Sequence, residues 1–158
     1  AETDYNLSNY NDALIGFNAL AYVLPPLRSN TDKKALQEGL QDGTIDAICS
    51  HHEPLAKTAK QAPFAECKPG ISNFDTFMGL ACQLVKEGIL TPTQLVEKIA
   101  LNPAKIAGIE ASYHQTGGAV LVDPSLTWTV TKESMMSQGK NTPFINSELT
   151  GKVEQVYF

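Results

Sequence analysis

The sequence predicts an α/β fold in which strand–helix units run to about residue 109 and an all-β tail follows. Three observations carry this expectation. Short apolar stretches at 21–24 and 44–50 alternate with segments whose apolar residues recur at helical spacing. Those segments are bounded by capping signals. After Gly117-Gly118 the composition turns β-rich. At 158 residues, with 42% hydrophobic and 18% charged residues, the chain can bury an ordinary domain core and is not broadly disordered.

The first 20 residues are polar and lack periodicity, and read as a loop that closes with a helical turn near Asp12-Ala13-Leu14-Ile15. Ala21-Tyr22-Val23-Leu24 is a short apolar run stopped by Pro25-Pro26, which reads as a buried strand because a residue before proline favours extended backbone. Ser29-Asn30-Thr31-Asp32 has the form of a capping box, and Gly43 is placed to end the helix that follows. Thr44 to Ser50 is strand-like in length and composition and leads to His51-His52. Ser72 with Asp75 predicts a cap for a helix over 73–87, closed by Gly88. Thr91, Pro92 and Gln94 supply an N-cap, an N1 proline and a capping-box partner for a helix over 92–101. Asn102-Pro103 interrupts it, and a short helical piece runs on to Gly108. Residues 119–122, 127–130 and 153–158 read as separate strands, with a polar, turn-rich stretch from Lys132 to Pro143.

The charge balance excludes some function classes. Twelve basic and 17 acidic residues give a net charge of −5, which argues against general binding to nucleic acid or anionic membranes. No apolar stretch approaches the roughly 20 residues that span a bilayer. The start at Ala1 has no signal-peptide pattern and no initiator Met, and reads as processed or cut material. Cys49, Cys67 and Cys82 form no Cys-x-x-Cys pair; reduced, mostly buried thiols in a cytoplasmic protein are the simplest reading.

In strand–helix repeats, chemistry gathers at the C-terminal ends of strands, and His51-His52-Glu53 occupies that place. Adjacent strand residues point opposite ways, so the two imidazoles are poor ligands for one metal. Lys57 and Lys60 read as a solvated face, His114 as an exposed residue, and Gly117-Gly118 as a plain loop rather than a dinucleotide turn.

Several segments, in order, carry a family resemblance. They are Leu24-Pro25-Pro26-Leu27-Arg28, Asp42-Gly43-Thr44-Ile45-Asp46-Ala47-Ile48, Pro63-Phe64, Gly70-Ile71 and Asn102-Pro103-Ala104-Lys105-Ile106. Val122-Asp123-Pro124, Trp128-Thr129-Val130 and Gly139-Lys140-Asn141-Thr142-Pro143-Phe144 continue the series. Together they resemble the C-terminal part of dihydroorotases, of the amidohydrolase superfamily. The resemblance implies the C-terminal portion of a (β/α)8 TIM barrel over 1–112, followed over 113–158 by strands of a small β-sandwich lobe. It also implies reversible cyclisation of carbamoyl aspartate to dihydroorotate in pyrimidine biosynthesis. There a zinc centre polarises the carbonyl and activates water, and a strand-end aspartate moves the proton.

Where the family reads Asp-His-x-Pro-His, this chain reads His51-His52-Glu53-Pro54-Leu55. His51 thus stands at the catalytic aspartate's position. His52 and Gly70 match substrate-contacting positions, and Leu55 replaces a second substrate-contacting histidine. Leu24 replaces the asparagine of the family's Asn-Pro-Pro-Leu-Arg. Glu53 is expected on the wrong side of the strand to act as a substitute acid. The family's remaining metal ligands lie upstream of this chain, so no cofactor is expected in it, and zinc only in an active full-length family member.

The departures resemble the catalytically silent dihydroorotase-like subunits that partner aspartate transcarbamoylase. An active zinc-dependent dihydroorotase is the alternative, and an independent small-molecule binding module is a third class. Two barrel strands cannot close a barrel, so the missing N-terminal half or a second copy of the chain is expected to cover the strand edges and helix faces.

Overall fold

The computed structural model describes residues 18–109 and 118–157. The expected turn at 12–15, His114, Gly117 and the last residue of the 153–158 strand lie outside them.

Helix α1, Asn30–Asp42, starts as its sequence dictates. The Ser29 hydroxyl accepts from Asp32 N–H, and the Asp32 carboxylate accepts in return from Ser29 N–H. The Ser29 hydroxyl also donates to Asp32 Oδ2 at 2.7 Å, and this bond together with the one from Ser29 N–H holds the Asp32 carboxyl below its usual range. Gly43 takes a left-handed φ of 87° and ends the helix. Helix α2, Phe74–Lys86, buries Thr76, Gly79, Leu80, Ala81 and Leu84. Gly88, at φ 72°, follows its end.

The Thr91–Gln94 capping box opens helix α3, Pro92–Val96, as expected. Asn102-Pro103 does not interrupt the helical path. A π-helical turn, Glu97–Leu101, joins α3 to helix α4, Asn102–Ile106. Proline has no N–H and its ring crowds the carbonyl four residues back. The widened turn absorbs that conflict, with Asn102 N–H donating to the Glu97 carbonyl five residues back.

The tail forms one antiparallel hairpin pair, β1 Ala119–Thr129 and β2 Glu148–Tyr157. Register runs from Ala119 opposite Tyr157 to Thr129 opposite Glu148. The two strands expected at 119–122 and 127–130 are therefore one, with an irregularity between Asp123 and Thr127. There Asp123 Oδ1 accepts from Ser125 Oγ at 2.7 Å and from the Ser125 and Leu126 amides. The aspartate supplies locally the partners that the ladder loses.

Neither expected barrel strand is a strand among the described residues. Ala19–Ala21 is a 3₁₀ turn capped by Asn18, and the Leu24–Pro25 peptide bond is cis. Residues 45–50 pair with no strand, and helix residues take their backbone groups instead. The Ile45 carbonyl accepts from Lys98 Nζ, and that of Asp46 from Asn102 Nδ2 at 2.8 Å. Ile48 N–H donates to the Lys98 carbonyl, and the Ser50 carbonyl accepts from Asn73 Nδ2. A strand exists only through its ladder, and an apolar run alone does not provide neighbours.

Helix α2 lies between two cores. Leu80 joins Val23, Ile71, Val130, Phe144 and Leu149 on one side. Ala81 and Leu84 join Leu40, Ile48, Leu90 and Leu95 on the other. Against β2 the approach is close: a Cβ on Gly151 would sit 2.7 Å from Cys82 Cβ, and one on Gly79 would sit 3.1 Å from Leu149 Cβ. Among the described residues no helix is long and apolar enough to cross a membrane. None of the three cysteines forms a disulfide among the described residues, and Cys49 is exposed rather than buried; Cys67 is buried and Cys82 half-buried.

Gly151 and Gly88 separate backbone strain from crowding. Both have positive φ, at 103° and 72°, but nothing lies within 4 Å of a Cβ on Gly88. Gly88→Ala is expected to cost about 1 kcal/mol, and Gly151→Ala about 2–4 kcal/mol because strain and clash add. Urea unfolding of the two variants checks the ordering, and equal losses would refute the close packing of α2 on β2.

Candidate functional site

Three distant stretches converge where the sequence places the candidate residues. Gly70 N–H donates to the Tyr22 carbonyl at 3.0 Å, and Glu53 N–H donates to the Ile71 carbonyl at 2.8 Å. His52 and Ile71 form an isolated parallel bridge. The stretch ending at Leu24, the 51–55 turn and the Gly70–Asn73 approach to α2 therefore share one surface.

His51, His52 and Gly70 do different things there. His51 has a left-handed φ of 45°, and its Nε2 faces Glu53 Oε1 at 3.8 Å. Glu53 thus stands beside His51 rather than on the wrong side as expected, since residues two apart share a face even in a regular strand. His52 turns toward α2: its Nδ1 accepts from Phe74 N–H at 3.0 Å and Asn73 N–H at 3.2 Å. It is the N-terminal cap that the sequence assigned to Ser72 and Asp75. An imidazole accepting at Nδ1 carries its proton on Nε2. The Ser72 hydroxyl is buried without a partner among the described residues. Asp75 instead accepts from Met136 N–H at 2.6 Å and from the Ser137 hydroxyl. Gly70, at φ 127°, lies so close to Glu53 that a Cβ would be 2.9 Å from its Oε2.

One organising residue was not singled out by sequence. Asn141, buried to 3% exposure, donates from Nδ2 to the carbonyls of Glu53 at 3.0 Å and Gly70 at 3.1 Å. Its Oδ1 accepts from Leu55 N–H at 2.7 Å, and its carbonyl accepts from Ser72 N–H at 3.0 Å. Beside it, a Cβ on Gly139 would lie 2.7 Å from Leu55 N. The segment Gly139 to Phe144, noted only for its resemblance, held the signal. A polar residue flanked by glycine and proline in a turn-rich stretch gave no periodicity to read.

The described candidate residues do not make a zinc site by themselves. His51 and Glu53 adjoin, but Nδ1 of His52 is committed to α2, and Leu55 offers no donor side chain. No three His, Cys, Asp or Glu side chains come together for a metal among the described residues. Leu24, at the family's asparagine position, is 52% exposed.

This arrangement, with the candidate residues presented by loops beside a small sheet, is that of the amidohydrolase fold. The chain superposes on a D-hydantoinase with a TM-score of 0.81 at 21% identity, over 99% of this chain and 37% of that one. With the dihydroorotase of Saccharomyces cerevisiae in complex with 5-fluoroorotic acid, the TM-score is 0.76 at 16% identity, covering 96% and 42%. The fold class is thus an α/β fragment of an amidohydrolase TIM-barrel protein. In sequence the chain is 42% identical over 146 residues to the dihydroorotase of Syntrophus aciditrophicus, covering 90% of this chain and 34% of that protein. It is 40% identical over 152 residues to the dihydroorotase-like protein of Pseudomonas aeruginosa, covering 94% and 36%. The chain is thus similar in sequence to dihydroorotases over most of its own length. The chain spans about a third of the length of the curated relatives it matches. No family model matches it.

Two substitutions test the site's framework. His52→Ala leaves the Asn73 and Phe74 amides uncapped and is expected to cost about 1 kcal/mol, with faster hydrogen exchange confined to the start of α2. Asn141→Ala strands an N–H and two carbonyls and is expected to cost about 3–5 kcal/mol. Chemical denaturation measures both, and a loss for Asn141→Ala no larger than that for His52→Ala would contradict the hub assignment.

Proposed function

We propose that this chain is the C-terminal part of a dihydroorotase-like protein of pyrimidine biosynthesis that is catalytically silent and serves as a structural partner of aspartate transcarbamoylase. The observation that carries the reading is His51 at the position of the family's catalytic aspartate. An imidazole can accept a proton, but it cannot supply a carboxylate's charge and shape at the reacting atoms. Glu53 lies 3.8 Å from His51, yet its carboxylate is lodged against Gly70.

The neighbouring substitutions point the same way. Leu24 and Leu55 put aliphatic side chains where the family has an asparagine and a histidine to hold substrate. A site that binds its substrate through buried polar contacts loses heavily when they are replaced by apolar groups. The name of the Pseudomonas aeruginosa relative, a dihydroorotase-like protein, is consistent with a branch that keeps the fold apart from the activity. The metal ligands, the covering half of the barrel and cytoplasmic location belong to this proposal as well. A second copy of the chain is the other partner able to cover the open faces.

The test uses the intact protein that carries this chain. Cyclisation of carbamoyl aspartate is expected at least about 10³-fold below an ordinary enzymatic rate. His51→Asp alone is expected not to restore it, because Leu24 and Leu55 remain. Co-expression with aspartate transcarbamoylase is expected to yield one complex by sedimentation. Ordinary turnover by either form, abolished by a chelator, would overturn catalytic silence, and separate sedimentation of the two proteins would overturn the partnership.

A further inference from the structure

Lys57 and Lys60, which read as a solvated face in the sequence, form a 3₁₀ turn, Lys57–Lys60, on the wall of a cavity of about 870 Å³. The opposite wall comes from the tail and brings Lys132 and Lys140. Four lysines thus line one hollow in a chain whose net charge is −5. Among the described residues no Asp or Glu lines it, and neither do His51, His52 and Gly70. The remaining walls are largely apolar, with Leu20, Pro54, Leu55 and Ile145.

The lysines are held in two ways. Lys60 Nζ donates to the Tyr22 carbonyl at 3.1 Å and lies 5.7 Å from the centre of the Tyr22 ring. Lys140 Nζ donates to the Met135 carbonyl at 2.6 Å. Each keeps two further N–H donors. Lys57 and Lys132 are exposed, and make no ion pair among the described residues. Burial pushes the Lys60 ammonium below its usual range, with the nearby Glu53 carboxylate opposing it.

We infer that this cavity binds a phosphorylated small molecule, its phosphates among Lys57, Lys60, Lys132 and Lys140 and its body against Leu20, Leu55 and Ile145. The volume lies in the range of small-molecule sites, which pair apolar walls with a few converging polar groups. Lysine meets phosphate as a point charge, whereas the planar fork that selects carboxylates is arginine's, and no arginine lines the cavity. The occupant is soluble rather than a surface lipid, because the lysines surround a hollow instead of forming a flat face.

Calorimetry on the intact protein carrying this chain tests it, with ATP as the probe and adenosine and inorganic triphosphate as controls. ATP is expected to bind with one-to-one stoichiometry, more tightly than triphosphate, while adenosine shows no binding. The double variant Lys57→Gln, Lys132→Gln removes the two cations that brace no backbone carbonyl. It is expected to weaken ATP binding at least tenfold while leaving the thermal midpoint unchanged. Absence of ATP binding, equal binding by the double variant, or binding by adenosine as tight as by ATP each overturns the site. Triphosphate binding as tightly as ATP overturns the role of the apolar wall.

Discussion

The carboxamide of Asn141 accepts from the Leu55 amide and donates to the carbonyls of Glu53 and Gly70, while its own carbonyl takes the Ser72 N–H. Four backbone groups from two separate loops meet at one residue of the tail. None of them belongs to a helix or a ladder, so each would otherwise enter the interior unpaired, at about 1–3 kcal/mol apiece. The His51–Glu53 turn and the approach to α2 are consequently fixed by a residue some 70 to 90 positions downstream. Gly139 makes the arrangement possible, because any side chain there would strike Pro54 and Leu55.

The same solution recurs wherever a ladder is lacking. Residues 45–50 carry backbone groups with no neighbouring strand, and Lys98, Asn102 and Asn73 satisfy them from helices. Lys98 reaches Ile45 from within the π-helical turn that Pro103 imposes, so a local conflict in one helix also positions a donor for the stretch leading to His51. His52 completes the pattern by capping α2 with its ring nitrogen. His52, which the family resemblance assigns to substrate, is here committed through Nδ1 to holding backbone.

Close glycine contacts then set the distance between layers. Gly79 and Gly151 let α2 lie almost against β2, so α2 can serve both cores at once. The two walls of the lysine-lined cavity, the 54–61 stretch and the tail from Lys132 to Ile145, are joined through Asn141 and Gly139.

The sequence by itself determined the elements whose signals are local. The capping boxes at Ser29 and Thr91 and the glycine stops at Gly43 and Gly88 need only neighbours within a few residues, and they stand where the sequence puts them. The β-rich tail and the place of the family motifs were legible for the same reason. Only the tertiary structure decided the rest. Whether an apolar run is a strand depends on a partner strand, and 45–50 has none among the described residues. Ser72 and Asp75 satisfy a capping pattern, but His52, twenty residues away, occupies the helix end and frees Asp75 for the tail. The gathering of Lys57, Lys60, Lys132 and Lys140 is likewise invisible in one dimension, because chain distance carries no information about which loops a buried amide will tie together.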